Sequence, residues 1–302
     1  MLFLIWTDFL CLNGDPMRFD NYLANRSRAS MMPIATGEQP RGLARLRFVK
    51  AMLFDVYGTL VMSWAGECGV SIDHGQRESI QGLLRRFDIP DSSQNIAQHL
   101  QGTIAKKHAC LRAEGVDYPE VDILEIWQRI LGWDDLSRLK TFAQEYEYII
   151  NPVYPMPGLR DLLQSCREHG LTMGIISNAQ FYTQDLLEDI LTKPLDAGGF
   201  DPHLIFYSYQ YRVAKPSVHL FEMAAQRLLD RGIQPEVSLF IGNDMRNDVL
   251  PAKTVGFQTA LFAGDKRSLR WRKENAFCRN LAPDMVVTDL RQLIPTAASD
   301  KV

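Results

Sequence analysis

The chain has 302 residues, 46% of them hydrophobic, which is enough for one large domain or two smaller ones around a real core. Lys and Arg number 33 against 36 Asp and Glu, a formal charge of −3, so no basic excess points to nucleic acid as a partner. Cys11, Cys68, Cys110, Cys166 and Cys278 are scattered with no CxxC pair, and the 6 histidines show no HxH or HExxH spacing. That pattern argues against zinc and for reduced thiols in a cytoplasm.

The first stretch, MLFLIWTDFLCL, is apolar but carries Asp8 and has no basic start. It is too short to span a bilayer and lacks the layout of a secretion signal, so no membrane is expected as a partner. Residues 13–47 are rich in Arg, Asn, Ser, Gly and Pro without a period, and 1–47 are read as a poorly ordered extension. From residue 48 the pattern becomes α/β. FVKAMLFDV (48–56) reads as a buried parallel strand, because its apolar run is nearly continuous. Residues 62–152 then contain no convincing strand; 74–87, 95–115, 121–132 and 135–150 all read as helices. A crossover of that length is too long for a connection, so 62–152 is read as an inserted helical cap domain. NPVYPMPG (151–158) would be its return hinge, stiffened by three prolines. Helices are expected at 157–170, 183–192, 216–232 and near 247–255, alternating with strands at 171–177, 203–208, 237–242, 257–262 and 284–288. This rhythm predicts a Rossmann-like doubly wound parallel sheet built from 48–61 and 153–295. The basic run DKRSLRWRKENAFCR (265–279) reads as a solvated helix face.

Open parallel sheets bind ligands beyond the C-terminal ends of their strands. The polar residues there are Asp55 and Thr59 after the first strand, Ser177 and Asn178 after the second, Lys215 after the third, and Asp244 and Asp248 after the fourth. Singly, each has a bland reading: Asp55 as a turn cap, Lys215 as a loop lysine, Asp244 and Asp248 as acids favouring a helix start. Jointly they converge on one crevice, and clustered carboxylates repel unless a cation sits among them. Hard oxygen ligands suit Mg²⁺, held by Asp55, Asp244 and Asp248.

DVYGTL, ISNA, AKPS and GNDMRND, in that order and each after a strand, resemble the four motifs of the haloacid dehalogenase superfamily. The resemblance covers about residues 48–290 and implies a Rossmann-like core with a mobile cap. It implies that Asp55 is a nucleophile that forms an aspartyl-phosphate. Ser177 would bond a phosphoryl oxygen, Lys215 would neutralise nucleophile and transferring group, and Asp244 and Asp248 would hold Mg²⁺ with Asp55. Gly58 would let backbone amides face the phosphate, with Thr59 and, after the second strand, Asn178 as further candidates for substrate or phosphate binding.

Tyr57 departs from the pattern. The family's phosphatases usually carry a second aspartate there, which protonates the leaving alkoxide and activates water. A tyrosine can donate a proton but is a poor base at neutral pH. The 2-haloacid dehalogenases commonly read DxYGT, need no metal, and have a tyrosine where this chain has Phe221. Phosphonate-cleaving members also lack the aspartate and use a cap lysine, for which Lys106 and Lys107 are the candidates. The acidic pair favours an Mg²⁺-dependent phosphatase of a small phosphorylated metabolite. A dehalogenase, a phosphonate hydrolase and a non-enzymatic metabolite-binding member are the alternatives. Trp64, Trp127 and Trp133 are candidate substrate contacts, with core packing favoured for Trp127. A soluble monomer or homodimer is expected.

Overall fold

The computed structural model describes residues 32–44, 49–63 and 74–294. Its strands are β1 (Ala51–Phe54), β2 (Val61–Ser63), β3 (Val153–Pro155), β4 (Thr172–Ser177), β5 (Phe200–Tyr207), β6 (Ser238–Gly242), β7 (Gln258–Phe262) and β8 (Met285–Val287). Period-two alternation in the central strands sets the plan. Met52, Phe54, Ile175, Leu239 and Ile241 join one apolar cluster, while Ala51, Leu53, Ile176 and Phe240 join another on the opposite face. A sheet so apolar on both sides needs cover on both, which is the setting in which parallel sheets occur. The six strands run in the order β5-β4-β1-β6-β7-β8, every neighbouring pair parallel. The chain leaves β1 for β4 on one side and β6 on the other, so the switch point lies just beyond Phe54. Asp55 is the next residue.

Helices α1 (His74–Arg86), α2 (Ser93–Ala113), α3 (Ile123–Leu131) and α4 (Leu136–Ile150) form the insertion. Ser92, Asp122 and Asp135 accept hydrogen bonds from the first-turn amides of the helices that follow them, and Gly132 closes α3 in the left-handed region. The four helices bury an apolar cluster centred on Trp127, Phe142 and Tyr146, which Phe181 and Tyr182 at the start of the helix Tyr182–Leu191 complete. Trp127 is 1% exposed and meets the rings of Phe142 and Tyr146 edge-on, at 5.0 and 4.9 Å. Trp133 stacks on Phe87 and carries the Arg138 guanidinium over its face. Both tryptophans are therefore structural in this unit; Trp64 lies outside the described residues. The insertion enters and leaves through β2 and β3, which pair antiparallel, Val61 opposite Pro155 and Ser63 opposite Val153. The proline-rich return is thus half of a two-stranded ribbon rather than a bare hinge, because its partner arrives from a distant part of the sequence.

The remaining helices are α5 (Leu159–Glu168), α6 (Tyr182–Leu191), α7 (Ser208–Tyr211), α8 (His219–Leu229) and α9 (Leu250–Thr254). A wide π-turn, Met245–Val249, precedes α9 where a continuous helix is expected. Two further expectations need correction. Residues 32–44 are not a loose extension: Arg41 bridges Val286 at the edge of β8, Ile34 bonds Asp265 and Lys266, and Glu38 accepts from the Trp271 indole at 2.9 Å. The basic run 265–279 is not a helix but a sequence of turns folded against the core. Three of its four arginines have partners, Arg267 with Asp265 and Met32 O, Arg270 with backbone carbonyls and Arg272 with Asp244, while Arg279 is exposed.

The insertion is strapped to the sheet domain at a second place. Glu120 N donates to Arg212 O at 2.9 Å and Ala214 N to Tyr118 O at 2.8 Å. The Gln180 side chain bonds Val121 O and Ile123 N, and the Glu120 carboxylate accepts from Ser208 Oγ at 2.8 Å. Burial raises the pKa of Glu120, and the Ser208 bond opposes that rise.

Candidate active site

Asp55 is fixed by the sheet before its side chain is considered: its amide donates to Ile241 O at 2.9 Å, continuing the β1–β6 ladder. Its carboxylate is buried. Oδ1 accepts from Lys215 Nζ at 2.7 Å and from Ser177 Oγ at 3.0 Å, and Oδ2 accepts a long bond from Thr59 Oγ1 at 3.4 Å. Lys215 Nζ also donates to Asp248 Oδ1 at 2.6 Å and to Ile176 O at 3.2 Å, which engages all three ammonium protons. Burial alone would depress the Lys215 pKa; the two carboxylates outweigh it and hold the ammonium above its ordinary value. Burial pushes Asp248 up, to about 7, against the opposing charge of Lys215 and with the support of Asp55 and Asp244. The lysine is thus a charged bridge, with Asp248 as its second anchor.

Asp248 reaches that position because β6 ends in Gly242. A Cβ at 242 would lie 2.3 Å from Asp248 Cγ and 2.4 Å from its Oδ2. Asp248 Oδ2 accepts from the Asp244 amide at 2.9 Å, which joins the two acids through one backbone group. Asp244 Oδ1 caps the π-turn, accepting from Arg246 N and Asn247 N at 2.8 and 3.2 Å. The helix-start reading of Asp244 is therefore true as well, and does not exclude another use.

The residue that sequence reasoning missed is Arg272. Its Nε donates to both Asp244 oxygens at 3.3 and 3.1 Å, and its Nη2 to Oδ2 at 2.7 Å. The backbone delivers it there: Met245 N bonds Arg270 O and Arg270 N bonds Asn243 O, each at 2.9 Å, so the loop runs alongside the Asp244 segment. Arg272 itself sits at φ +51°, a conformation that a non-glycine residue adopts rarely and more often at functional sites. The only sequence signal was its place in a basic run, and that run has no period to reveal which arginine turns inward.

Three acids in one crevice were expected to require a divalent cation. Here Lys215 and Arg272 offset them first. Among the described residues no three His, Cys, Asp or Glu side chains are grouped so as to hold a metal ion. Asp55, Asp244 and Asp248 are hard carboxylates of the kind Mg²⁺ takes, but they are not grouped for it: Lys215 bridges Asp55 and Asp248, while the Asp244 carboxylate is held by Arg272 and the amides of its own turn. Asp244 would have to exchange its guanidinium for the ion.

The other expected site residues divide. Gly58 sits at φ +87°, where a Cβ would come within 2.6 Å of Ser268 Cβ and 2.7 Å of Asn243 Nδ2, so the turn requires glycine. The amides of Gly58, Thr59, Leu60 and Val61 all bond inside that turn, to Val61 O or Val56 O, and do not face a ligand. Asn178 clasps the backbone of Lys215 from both ends of its amide, at 2.7 and 3.2 Å, and so positions the lysine. Tyr57 turns away from the Asp55 cluster: its hydroxyl bonds Thr183 Oγ1 at 2.8 Å at the start of α6. Burial and the nearby Glu147 of α4 raise its pKa well above the ordinary phenol range, so it stays a neutral phenol. Phe221 is fully buried against Phe240, below the sheet. Lys106 is exposed and Lys107 half-buried on α2.

With this geometry in place, the likeness to known proteins can be read. The family model of haloacid dehalogenase-like hydrolases matches residues 49–256. Phosphoglycolate phosphatase of Pseudomonas putida strain KT2440 is 27% identical over 255 residues, which cover 82% of this chain and 80% of that protein. Glyceraldehyde 3-phosphate phosphatase of Pyrococcus furiosus is 27% identical over 139 residues, 46% of this chain and 52% of that protein. Among solved structures, a 2-haloacid dehalogenase from Pseudomonas syringae pv. Tomato DC3000 superposes with a TM-score of 0.52 at 16% identity, covering 81% of this chain and 96% of that one. At that identity the likeness concerns the fold alone.

Proposed function

Since the chain belongs to the haloacid dehalogenase-like hydrolases, we propose that it is a phosphatase that hydrolyses a small phosphorylated metabolite with the help of Mg²⁺. The observation that carries this reading is the Asp55–Lys215–Asp248 bridge, with Ser177 on the same Asp55 oxygen. A buried carboxylate bonded to a lysine ammonium and aimed by a hydroxyl is placed to act as a nucleophile. A carboxylate oxygen of Asp55 attacks phosphorus, the bond to the leaving alkoxide breaks, and water then cleaves the aspartyl-phosphate to return Asp55 and release phosphate. Ser177 and Lys215 orient and neutralise the transferring oxygens, and Thr59 steadies Asp55. Asp55, Asp244 and Asp248, the last directly or through water, would hold Mg²⁺. When bound, the ion would offset the repulsion between an anionic nucleophile and an anionic phosphate. Tyr57, neutral and bonded to Thr183, supplies no base for the second step, so turnover is slower than in relatives with a second aspartate. The helical insertion acts as the cap, and its enclosure of the crevice limits the substrate to a small soluble molecule. The Pseudomonas relative's name makes 2-phosphoglycolate the first compound to test. We place the protein in the cytoplasm as a monomer or homodimer, with neither nucleic acid nor membrane as partner; among the described residues no helix is long and apolar enough to cross a membrane.

One observation favours a second reading. Arg272 already neutralises Asp244, and with Tyr57 at the acid/base position a metal-free dehalogenase chemistry is balanced in charge. A panel assay separates the two. Purified protein is offered 2-phosphoglycolate, glyceraldehyde 3-phosphate, phosphonoacetaldehyde and 2-chloropropionate, each with Mg²⁺ and with chelator. Phosphate release that needs Mg²⁺ and falls by more than about 10³-fold in Asp55→Asn supports the phosphatase. Chloride release indifferent to chelator overturns it.

A further inference from the structure

We propose that Arg246, steadied on the ring of Tyr118, binds a carboxylate carried by the substrate, which makes phosphate esters that are also carboxylic acids the substrate class of this site. The inference rests on the phosphatase reading above and deepens it.

Three observations carry it. First, Arg246 has no carboxylate partner. It is half-buried in the π-turn after β6, and among the described residues its guanidinium makes neither a hydrogen bond nor an ion pair. Asp244 accepts from the Arg246 amide, but its carboxylate is taken side-on by Arg272. A guanidinium left in that state presents a planar fork of N–H donors, which matches the two oxygens of a carboxylate better than any neutral group. Second, the fork is held in place. The Arg246 Cζ lies over the Tyr118 ring, 5.6 Å from its centroid, a contact that uses the face of the group and leaves its N–H edge free. Tyr118 is 37% exposed, so a solute can reach the pair. Backbone bonds place the ring: Tyr118 O accepts from Ala214 N at 2.8 Å, and Pro119 bridges Val213.

Third, the pair stands where the insertion meets the turns that build the crevice. Tyr118 belongs to the insertion, Ala214 adjoins Lys215, and Arg246 lies in sequence between Asp244 and Asp248. Lys215 bonds Asp55 and Asp248, and Asp248 Oδ2 takes the Asp244 amide, so the same two turns hold the nucleophile's ammonium and the Arg246 fork. The other cations on these segments are committed: Lys215 to Asp55 and Asp248, Arg272 to Asp244, Arg212 to Asp122 and Glu125. A second anionic group on the substrate has Arg246 as its available cation among the described residues of these segments.

Matched pairs of phosphate esters test it, one member with a carboxylate and its twin with a hydroxymethyl group in that place: 2-phosphoglycolate against 2-hydroxyethyl phosphate, and 3-phosphoglycerate against glycerol 3-phosphate. Dissociation constants are measured by calorimetry on Asp55→Asn, which cannot turn substrate over, and on Asp55→Asn combined with Arg246→Gln, Arg246→Lys or Tyr118→Ala. In at least one pair the carboxylate member should bind more tightly than its twin. Arg246→Gln should weaken that member about 10- to 100-fold and move the twin less than about twofold. Arg246→Lys should keep part of the affinity, and Tyr118→Ala should lose about two- to fivefold. Should Arg246→Gln fail to fold, Asp55→Asn labelled with ¹⁵N-arginine serves instead: the carboxylate member must move the Arg246 Nε–H resonance, assigned by its absence from Arg246→Lys, and the twin must leave it in place. Equal binding within both pairs, equal losses for both members, an Arg246 resonance indifferent to the carboxylate, or no binding of any compound would overturn the inference. Mg²⁺-dependent phosphate release with no discrimination by Arg246 leaves the phosphatase reading standing and sinks this one; carboxylate binding through Arg246 without phosphate release from wild type does the reverse.

Discussion

The crevice has two halves that neutralise carboxylates in different ways. In the inner half, Lys215 is 3% exposed and lies between Asp55 and Asp248, which are 8% and 2% exposed at their side chains. Asp55 directly follows β1, Lys215 lies in the loop after α7, and Asp248 lies in the π-turn after β6. In the outer half, Asp244 meets Arg272, whose side chain is 24% exposed and comes from an irregular loop. Desolvated charges depend on their partners for most of their tolerance of burial, whereas a pair at the rim is partly rescued by water. The inner half is thus part of the fold, and the outer half is an adjustable fitting on it.

The largest effect should follow from breaking the inner half. Lys215→Met leaves two buried carboxylates facing each other and should cost about 3–5 kcal/mol, read by denaturant unfolding. A loss below 1 kcal/mol would mean that the triad is not desolvated as described. Gly242→Ala attacks the same half by crowding, since the new methyl meets the Asp248 carboxylate. We expect about 1–3 kcal/mol, together with weakened Lys215 function, and unchanged thermal stability would contradict it. Arg272→Gln tests the outer half. Because Asp244, 8% exposed, keeps its two amide bonds and Arg272 is 24% exposed, the cost in stability should stay below that of Lys215→Met, at about 1–2 kcal/mol. A cost equal to that of Lys215→Met would erase the distinction between the halves.

The smallest effect concerns pH and a carboxylate outside both halves. Glu147 lies on α4, bonded to Asn151, and burial raises its pKa, a rise opposed by its bonds to Asn151 and Tyr182. A folded-state pKa above the unfolded one means that the native state holds the proton longer. Its contribution is therefore fully present below the ordinary carboxylate range and fades as pH rises through the folded value. Wild type should lose stability over that rise more steeply than Glu147→Gln, as followed by melting temperature from acid to neutral pH. Parallel profiles would show that Glu147 is solvated.

The same division explains what could be read from the chain. Asp55, Ser177, Lys215 and Asp248 were legible because a parallel sheet fixes where strand ends meet, and strands announce themselves by apolar runs. The helices of the insertion were legible from their 3.6-residue period, as was the burial of Trp127. Arg272 was not, because its position depends on backbone bridges between distant turns, and no local pattern distinguishes an inward arginine from a solvated one. The β2–β3 ribbon and the docking of residues 32–44 were hidden for a related reason: each is short, and each is defined by a partner far away in sequence. The bonds of Asn178 to the Lys215 backbone could not be read from the chain, since a strand-end amide bonds backbone as readily as ligand. Tyr57 was recognised as unusual, while its partner Thr183 and its neighbour Glu147 depended on how the insertion docks.

The strap between Tyr118–Ile123 and Arg212–Ala214 has a mechanical consequence. Residue 214 is followed directly by Lys215. If the helical unit swings as a rigid lever, it must either tear this ladder or drag residues 212–214 along. The docking of the helical unit and the surroundings of Asp55 would then share one linkage: a tug on that unit is felt at the ammonium that bridges Asp55 and Asp248.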